Sequence, residues 1–187
     1  RAQQYGYLEC ALTTSATEHN VTFRNLGWSA DTVFAESRGI FDAPAKGYER
    51  MIEHVRAEEP TLILVCYGQN EALSFAGGAE GIDRFKAQLK VLHRDLTASG
   101  ADVVFLTPHP FVTLATPLPD AAKWNQRLSD YAAAVIEVGA GVGSFVADLN
   151  GNFVRDIAAA GSDHFGGTPA FDDPDGHPEL TAIRNSM

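Results

Sequence analysis

The sequence predicts an α/β protein in which a parallel sheet lies between two helical layers, a three-layer α/β/α sandwich. Two continuous apolar runs, at residues 62–65 and 103–106, are typical of strands covered on both faces. Helical stripes of apolar residues alternate with these runs, and this alternation favours parallel βαβ units. The chain has 187 residues, of which 45% are hydrophobic, and this is enough for one domain with a buried core.

The N-terminal part of the sequence predicts two helices and a strand. Apolar residues at helical spacing start at Tyr5 and predict a first helix that ends near Glu18. Residues 21–26 then predict a strand, which Gly27 closes. A second helix ends at Pro60. Its apolar face comprises Tyr48, Met51, Ile52 and Val55.

The alternation continues in the second half of the chain. A third helix stops at Gly100, and a fourth follows a proline-rich loop at residues 108–119. Residues 139–143 predict a turn into a last strand at residues 144–147. The apolar stripes of these two helices are Ile82, Phe85, Leu89, Leu92 and Leu96 in the third, and Trp124, Leu128, Tyr131, Val135 and Val138 in the fourth.

The predicted domain covers residues 1–160, and an irregular tail covers residues 161–187. The tail is rich in Gly, Asp and Pro and has no apolar stripe. The sequence shows neither a start methionine nor a signal peptide, so we expect the natural N-terminus to lie upstream. The compartment is therefore not indicated.

The charge of the chain argues against several kinds of partner. Its formal net charge of −10 disfavours binding to nucleic acid and to anionic lipid, both of which require clustered Lys and Arg. No apolar run reaches the length of about 18 residues that predicts a membrane span. Cys10 and Cys66 are the only cysteines, and we expect two buried free thiols rather than a disulfide.

Two short motifs follow the strands predicted at residues 21–26 and 62–65. The first, residues 24–31, reads RNLGWSAD, and the second, residues 67–71, reads YGQNE. Open parallel sheets hold their ligands at the carboxyl ends of the strands, where both motifs fall. Two groups in these motifs are neutral hydrogen-bond donors. One is the backbone N–H at a glycine, and the other is the side-chain amide of an asparagine. Two such donors converging on one point form an oxyanion hole, which stabilises the charge that develops during acyl transfer.

The order, separation and flanking helices of these motifs resemble blocks II and III of the SGNH/GDSL-type hydrolases over about residues 1–149. The resemblance implies the flavodoxin-like fold of those hydrolases. It assigns Gly27 and Asn70 as oxyanion donors and gives Gly68 the role of shaping the loop. It also implies an ester of a small molecule or carbohydrate as substrate, and neither metal nor organic cofactor.

The sequence departs from the family pattern in two places. The family's serine nucleophile lies in Gly-Asp-Ser after the first strand, and that tripeptide is absent here. The first strand, central in the family's order 2-1-3-4-5, is therefore expected to be missing from this chain. The family's Asp-x-x-His pair is also absent, because none of the six histidines has Asp three residues before it. The nearest candidates are His177 as base and Asp175 as its orienting carboxylate.

Several residues near the motifs allow a structural interpretation beside the functional one. Gly68 and Asn70 also suit a simple turn. Ser29 is interpreted as a loop or capping residue, and Asp31 as a carboxylate that fixes a loop. Glu71 either orders the cleft through hydrogen bonds or is solvated.

Two further features stay open in the same way. His109, in the loop after residues 103–106, either contacts substrate at the cleft rim or is merely exposed. His164 with Asp163 gives only a weak indication of a metal, because no third ligand is evident nearby.

Three functional hypotheses follow from the sequence. The leading one is hydrolysis of acyl esters, acetylated carbohydrate among them, by a serine that this chain does not carry; the chain alone is then inactive. The second is a non-catalytic module of the same fold that binds a ligand or carbohydrate. The third, a flavodoxin-like nucleotide or signalling domain, lacks the phosphate-binding loop it requires.

Overall fold

A computed structural model of the chain describes residues 6–40, 43–74, 78–111 and 121–160. Within these residues it shows helices alternating with strands, as predicted. In chain order the elements are α1 (Tyr7–Ser15), a 3-10 helix (Ser37–Ile40), α2 (Pro44–Ala57), β1 (Leu62–Cys66), α3 (Gln69–Ser74), α4 (Ala79–Thr97), β2 (Asp102–Leu106), α5 (Ala122–Val142), β3 (Phe145–Ala147) and α6 (Leu149–Ala160).

The three strands form one parallel sheet in the order β1-β2-β3. Val65 pairs in register with Phe105, and Phe105 with Val146, so these side chains share one face of the sheet. Helices α4 and α5 cover this face. The core that results contains Phe85, Leu89, Leu92, Leu96, Leu128, Tyr131, Val135 and Val138, all from the predicted stripes. The α/β class and the parallel sheet are thus confirmed.

Within the part of the chain that the structure describes, the opposite face of the sheet is much less covered, and we call it the open face. It is formed by the alternate residues of the three strands, which pair in register with one another. Leu62 is 52% exposed and Phe145 is 71% exposed. The other apolar members, each exposed or half-buried, are Leu64, Cys66, Val104, Leu106 and Ala147.

The strand predicted at residues 21–26 does not form, and this prediction was wrong. Residues 20–28 belong to no helix or strand. A strand needs a hydrogen-bonded neighbour, and none of the three described strands pairs with this segment. Among the described residues, β1 has β2 as its only strand neighbour.

Two predictions near the C-terminal end of the domain also need correction. Residues 139–143 were predicted to form a turn, but α5 continues to Val142 and ends at Gly143, whose positive φ of 72° closes the helix. Gly139 allows this extension because a Cβ there would collide with Val146 of β3. Helix α6 was not predicted at all, although Asp148 caps it by accepting a hydrogen bond from the Gly151 N–H at 2.9 Å.

The prediction of buried thiols was wrong for both cysteines, which are free and exposed. Cys10 lies on α1, where most residues are exposed. Cys66 is the last residue of β1 and belongs to the open face. Within the residues that the structure describes, no helix is both long enough and apolar enough to cross a membrane.

A histidine–serine pair joins α4 to the start of β3. The His93 Nε2 lies 2.8 Å from the Ser144 Oγ, and the imidazole lies beside the ring of Phe105, with 5.9 Å between centroids. Ser144 precedes β3, so the pair is at the amino end of the sheet, away from both motifs. The pair is therefore interpreted as a structural contact.

The burial of His93 makes the stability of the fold depend on pH. Burial lowers the pKa of His93 below its usual 6.5. The unfolded chain then binds a proton at a higher pH than the native protein, so the free energy of unfolding falls as the pH decreases through 6.5 toward the native pKa. We expect His93→Gln to reduce this loss, as measured by urea unfolding between pH 7 and pH 5. Equal slopes for the two proteins would contradict the assignment.

Candidate active site

The first motif forms a loop that a buried ion pair holds in place. The Arg38 Nε donates to the Asp31 Oδ2 at 2.7 Å, and both side chains are nearly inaccessible, at 12% and 3% exposed. The Arg38 Nη2 also donates to the carbonyl of Leu26 at 2.7 Å, and the Asp31 Oδ1 accepts from the Ser37 N–H at 3.3 Å. Asp31 thus fixes the loop, as its structural interpretation predicted.

One hydrogen bond joins the two motifs. The Asn70 amide donates to the backbone carbonyl of Asp31 at 2.7 Å. Asn70 lies in the first turn of α3, directly after β1, and the contact brings this helix against the loop of residues 24–31. The sequence placed both motifs at the carboxyl edge of the sheet, and the structure places them in contact there.

Gly27 lies in a tight turn within the first motif. Its N–H donates to the Oδ1 of Asn25, two residues earlier, at 3.0 Å, in the pattern of an asparagine turn. This N–H is therefore directed to the Asn25 side chain in the structure. An oxyanion that binds there would have to share the N–H with Asn25 or displace it.

Gly68 occupies a position that only glycine suits. Its φ is +109°, a conformation that L side chains rarely adopt, and a Cβ would lie 3.2 Å from Pro108 Cγ and 3.3 Å from Tyr131 Cβ. The turn after β1 can therefore pack closely on the loop that follows β2. This local geometry agrees with the loop-shaping role that the resemblance gave to Gly68.

Glu71 orders the same turn through hydrogen bonds. Of the two interpretations that the sequence allowed, an ordering role and a solvated carboxylate, the structure shows the first. Its side chain is fully buried. The Oε1 accepts from the Val33 N–H at 2.7 Å and the Oε2 from the Gly68 N–H at 2.8 Å. Burial raises the pKa of this carboxyl, while the two N–H donors act in the opposite direction. Glu71 therefore ties the turn after β1 to the segment that follows the first motif.

A second polar cluster fixes the loops after β2 and β3, and sequence reasoning missed it. The Thr107 Oγ1 donates to the Asp148 Oδ1 at 3.1 Å and accepts from the Asn150 N–H at 2.9 Å. The Asn150 amide donates to the Pro108 carbonyl at 3.0 Å. The signal available in the sequence was Asp148 followed by an apolar helical stretch, which is a usual start for a helix.

The structure describes only some of the remaining residues that the sequence suggested for the site. His109 is exposed, with its Nδ1 3.0 Å from the Pro110 carbonyl, so its role at the rim stays a prediction. His177 and Asp175 lie outside the described residues, as do Asp163 and His164. Among the residues that are described, no three His, Cys, Asp or Glu side chains are grouped so that they could hold a metal ion.

The fold and the two joined motifs define an α/β protein with polar donors gathered at the carboxyl edge of a parallel sheet. Comparison with known proteins gives the family. The chain matches the model of the GDSL-like lipase/acylhydrolase family over residues 4–181, and it belongs to that family. No curated protein matches it significantly.

Two solved structures resemble the chain. One is a point mutant of Axe2, an acetyl-xylooligosaccharide esterase from Geobacillus, with a TM-score of 0.59 and 18% identity. The match covers 81% of this chain and 65% of that one, so this chain spans less than two thirds of its neighbour. The other is a gut microbial diltiazem-metabolizing enzyme, with a TM-score of 0.43, 12% identity and coverage of 71% and 31%. The first likeness supports the fold.

Proposed function

We propose that this chain carries the oxyanion-stabilising part of an esterase that hydrolyses acyl esters. The observation that supports the proposal most is the contact of Asn70 with the Asp31 carbonyl, because it joins the two motifs of the family at one edge of the sheet. Membership of an acylhydrolase family gives the reaction class. Asn70 and Gly27 would donate to the oxyanion, and Gly68 would shape the turn between β1 and α3.

The nucleophile in this proposal is a serine that the 187 residues do not supply. The sequence contains no Gly-Asp-Ser. Residues 20–28 form no strand, which agrees with a missing strand between them and β1. His177, oriented by Asp175, is the proposed base of a serine mechanism, although its spacing from Asp differs from that of the family.

Acetylated carbohydrate is the proposed substrate class. The structural neighbour from Geobacillus is described as an acetyl-xylooligosaccharide esterase, and it shares the fold at a TM-score of 0.59. A small acyl group would require little more than the donors at the sheet edge, while the sugar would occupy the surface around the first motif. The mechanism requires neither a metal nor an organic cofactor.

The direct test is esterase activity of this chain beside a longer version. The longer version would extend the natural gene upstream to include a strand ending in Gly-Asp-Ser. With p-nitrophenyl acetate and acetylated xylotriose as substrates, we expect turnover only for the longer version. Serine-directed labelling with a fluorophosphonate would mark only that version. Hydrolysis by the 187-residue chain above a mock purification would contradict the proposed inactivity.

A non-catalytic role in binding carbohydrate is the alternative. The altered spacing around His177 favours it. An upstream strand without a nucleophile at its carboxyl end, together with saturable binding of sugar and no turnover, would replace the esterase proposal by this one.

A further inference from the structure

A cavity of about 260 Å³ lies beside the first motif, between that motif and helix α2. Gly27 contributes to its lining. Leu26 and Met51 give it apolar surface, and Asn25 and His54 give it polar groups that reach solvent. The volume is just below the range of about 300–1,000 Å³ that is usual for sites of drug-sized ligands, so the cavity suits one ring of a larger ligand.

Trp28 forms one wall of this cavity and lies beside the Arg38 guanidinium. It is 51% exposed, and the Arg38 guanidinium carbon lies 5.8 Å from the centroid of its ring. Arg38 is itself immobilised by its bonds to Asp31 and to the Leu26 carbonyl, both at 2.7 Å. A large aromatic surface therefore lies beside the cavity, next to an arginine whose hydrogen bonds already order it.

The charges and polarity of the lining favour a neutral ligand with both apolar and polar sides. The positive charge of Arg38 is matched by Asp31, so the cavity offers an anion little uncompensated charge. A saturated acyl chain would form no hydrogen bond with the imidazole of His54 or with the amide NH2 of Asn25, whose Oδ1 already accepts from the Gly27 N–H. A sugar ring has a face of C–H groups, which packs on an aromatic ring, and a rim of hydroxyls, which bond to amide and imidazole groups.

We propose that this cavity binds one sugar ring of a carbohydrate ester, with Trp28 as the stacking surface and Asn25 and His54 as hydrogen-bonding groups. The proposal rests on the proposed function, because Gly27 lines the cavity and would place the bound sugar next to the acyl group under attack. It adds to that function a specific site for the alcohol part of the substrate. Binding at this site requires no serine.

The test uses the fact that the chain has only two tryptophans, Trp28 and Trp124. The two indole N–H signals in a proton–nitrogen correlation spectrum are assigned with Trp28→Phe and Trp124→Phe. Unacetylated xylotriose is then titrated into the labelled 187-residue chain. We expect the Trp28 signal to shift saturably and the Trp124 signal to stay in place. No shift of the Trp28 signal, or equal shifts of both, would overturn the proposal.

Variants give the second measurement. Xylotriose binding, followed by saturation-transfer difference spectra of the sugar, is expected to weaken at least tenfold in Trp28→Ala and to remain within twofold in Trp124→Ala. Circular dichroism of each variant checks that it is folded. Equal binding by Trp28→Ala would overturn the role of the ring, and a shift caused by octanoate but not by xylotriose would assign the cavity to an acyl chain.

The two proposals can fail separately. Sugar binding at Trp28 without esterase activity in the longer chain would leave the site standing and remove the enzyme function. Esterase activity in a longer chain whose Trp28 signal does not shift with xylotriose would support the enzyme function and remove the sugar site.

Discussion

Glu71→Ala is expected to lower the free energy of unfolding by about 2–6 kcal/mol, because each of two buried N–H groups left without a partner costs about 1–3 kcal/mol. The groups are those of Val33 and Gly68, which donate to the carboxylate at 2.7 and 2.8 Å. Glu71→Gln keeps the volume and one acceptor. Its amide NH2 would face one of the two N–H groups, so we expect a loss of about 1–3 kcal/mol.

Urea unfolding followed by circular dichroism measures both changes. Glu53, an exposed residue on α2, provides the matched controls Glu53→Ala and Glu53→Gln, which we expect to stay within about 0.5 kcal/mol of the parent. If Glu71→Ala fails to fold, Glu71→Gln still gives a measurable value. Losses at Glu71 no larger than those at Glu53 would show that the buried carboxylate does not hold the turn.

Asn70→Ala is expected to reduce kcat by about 10²–10³ in a chain extended by the proposed serine-bearing segment, the usual effect of deleting one oxyanion donor. KM is expected to change little, because the donor acts mainly on the transition state. Loss of the bond to the Asp31 carbonyl also costs about 1 kcal/mol of stability, so the variant is assayed well below its unfolding temperature.

The control for this variant is Asn152→Ala on the exposed side of α6, which should leave kcat unchanged. A reduction in kcat of less than tenfold in Asn70→Ala would remove Asn70 from the oxyanion hole. A large rise in KM with an unchanged kcat would assign it to substrate binding in the ground state.

The elements that the sequence predicted correctly are those whose pattern has a single explanation. The stripe from Ile82 to Leu96 indicates a helix with one buried side, and the run at residues 62–65 indicates a strand, although only one face of β1 is well covered. Residues 21–26 have the composition of a strand but formed none, because a strand depends on a neighbour that local sequence does not reveal. The glycines at 139, 141 and 143 suggested a turn, yet packing against β3 required glycine within the helix at position 139.

The candidate site divides in the same way. The contact between the two motifs was predicted, because both were expected at the carboxyl ends of parallel strands; the strand before the first motif, however, does not form. The bond from Asn70 to a backbone carbonyl, and the full burial of Glu71, depend on how loops separated by about 40 residues in the chain meet in space, which no local pattern reports. The turn that directs the Gly27 N–H to Asn25 was likewise not predicted from the sequence.

The open face bears on how copies of this protein behave toward one another in solution. Leu62 and Phe145 present apolar surface there, and β1 has a free backbone edge among the described strands. Both features favour association between molecules. The formal net charge of −10 acts against it by keeping copies apart. Salt screens the repulsion over a Debye length of about 8–10 Å and leaves the apolar attraction intact, so ionic strength shifts the balance between the two.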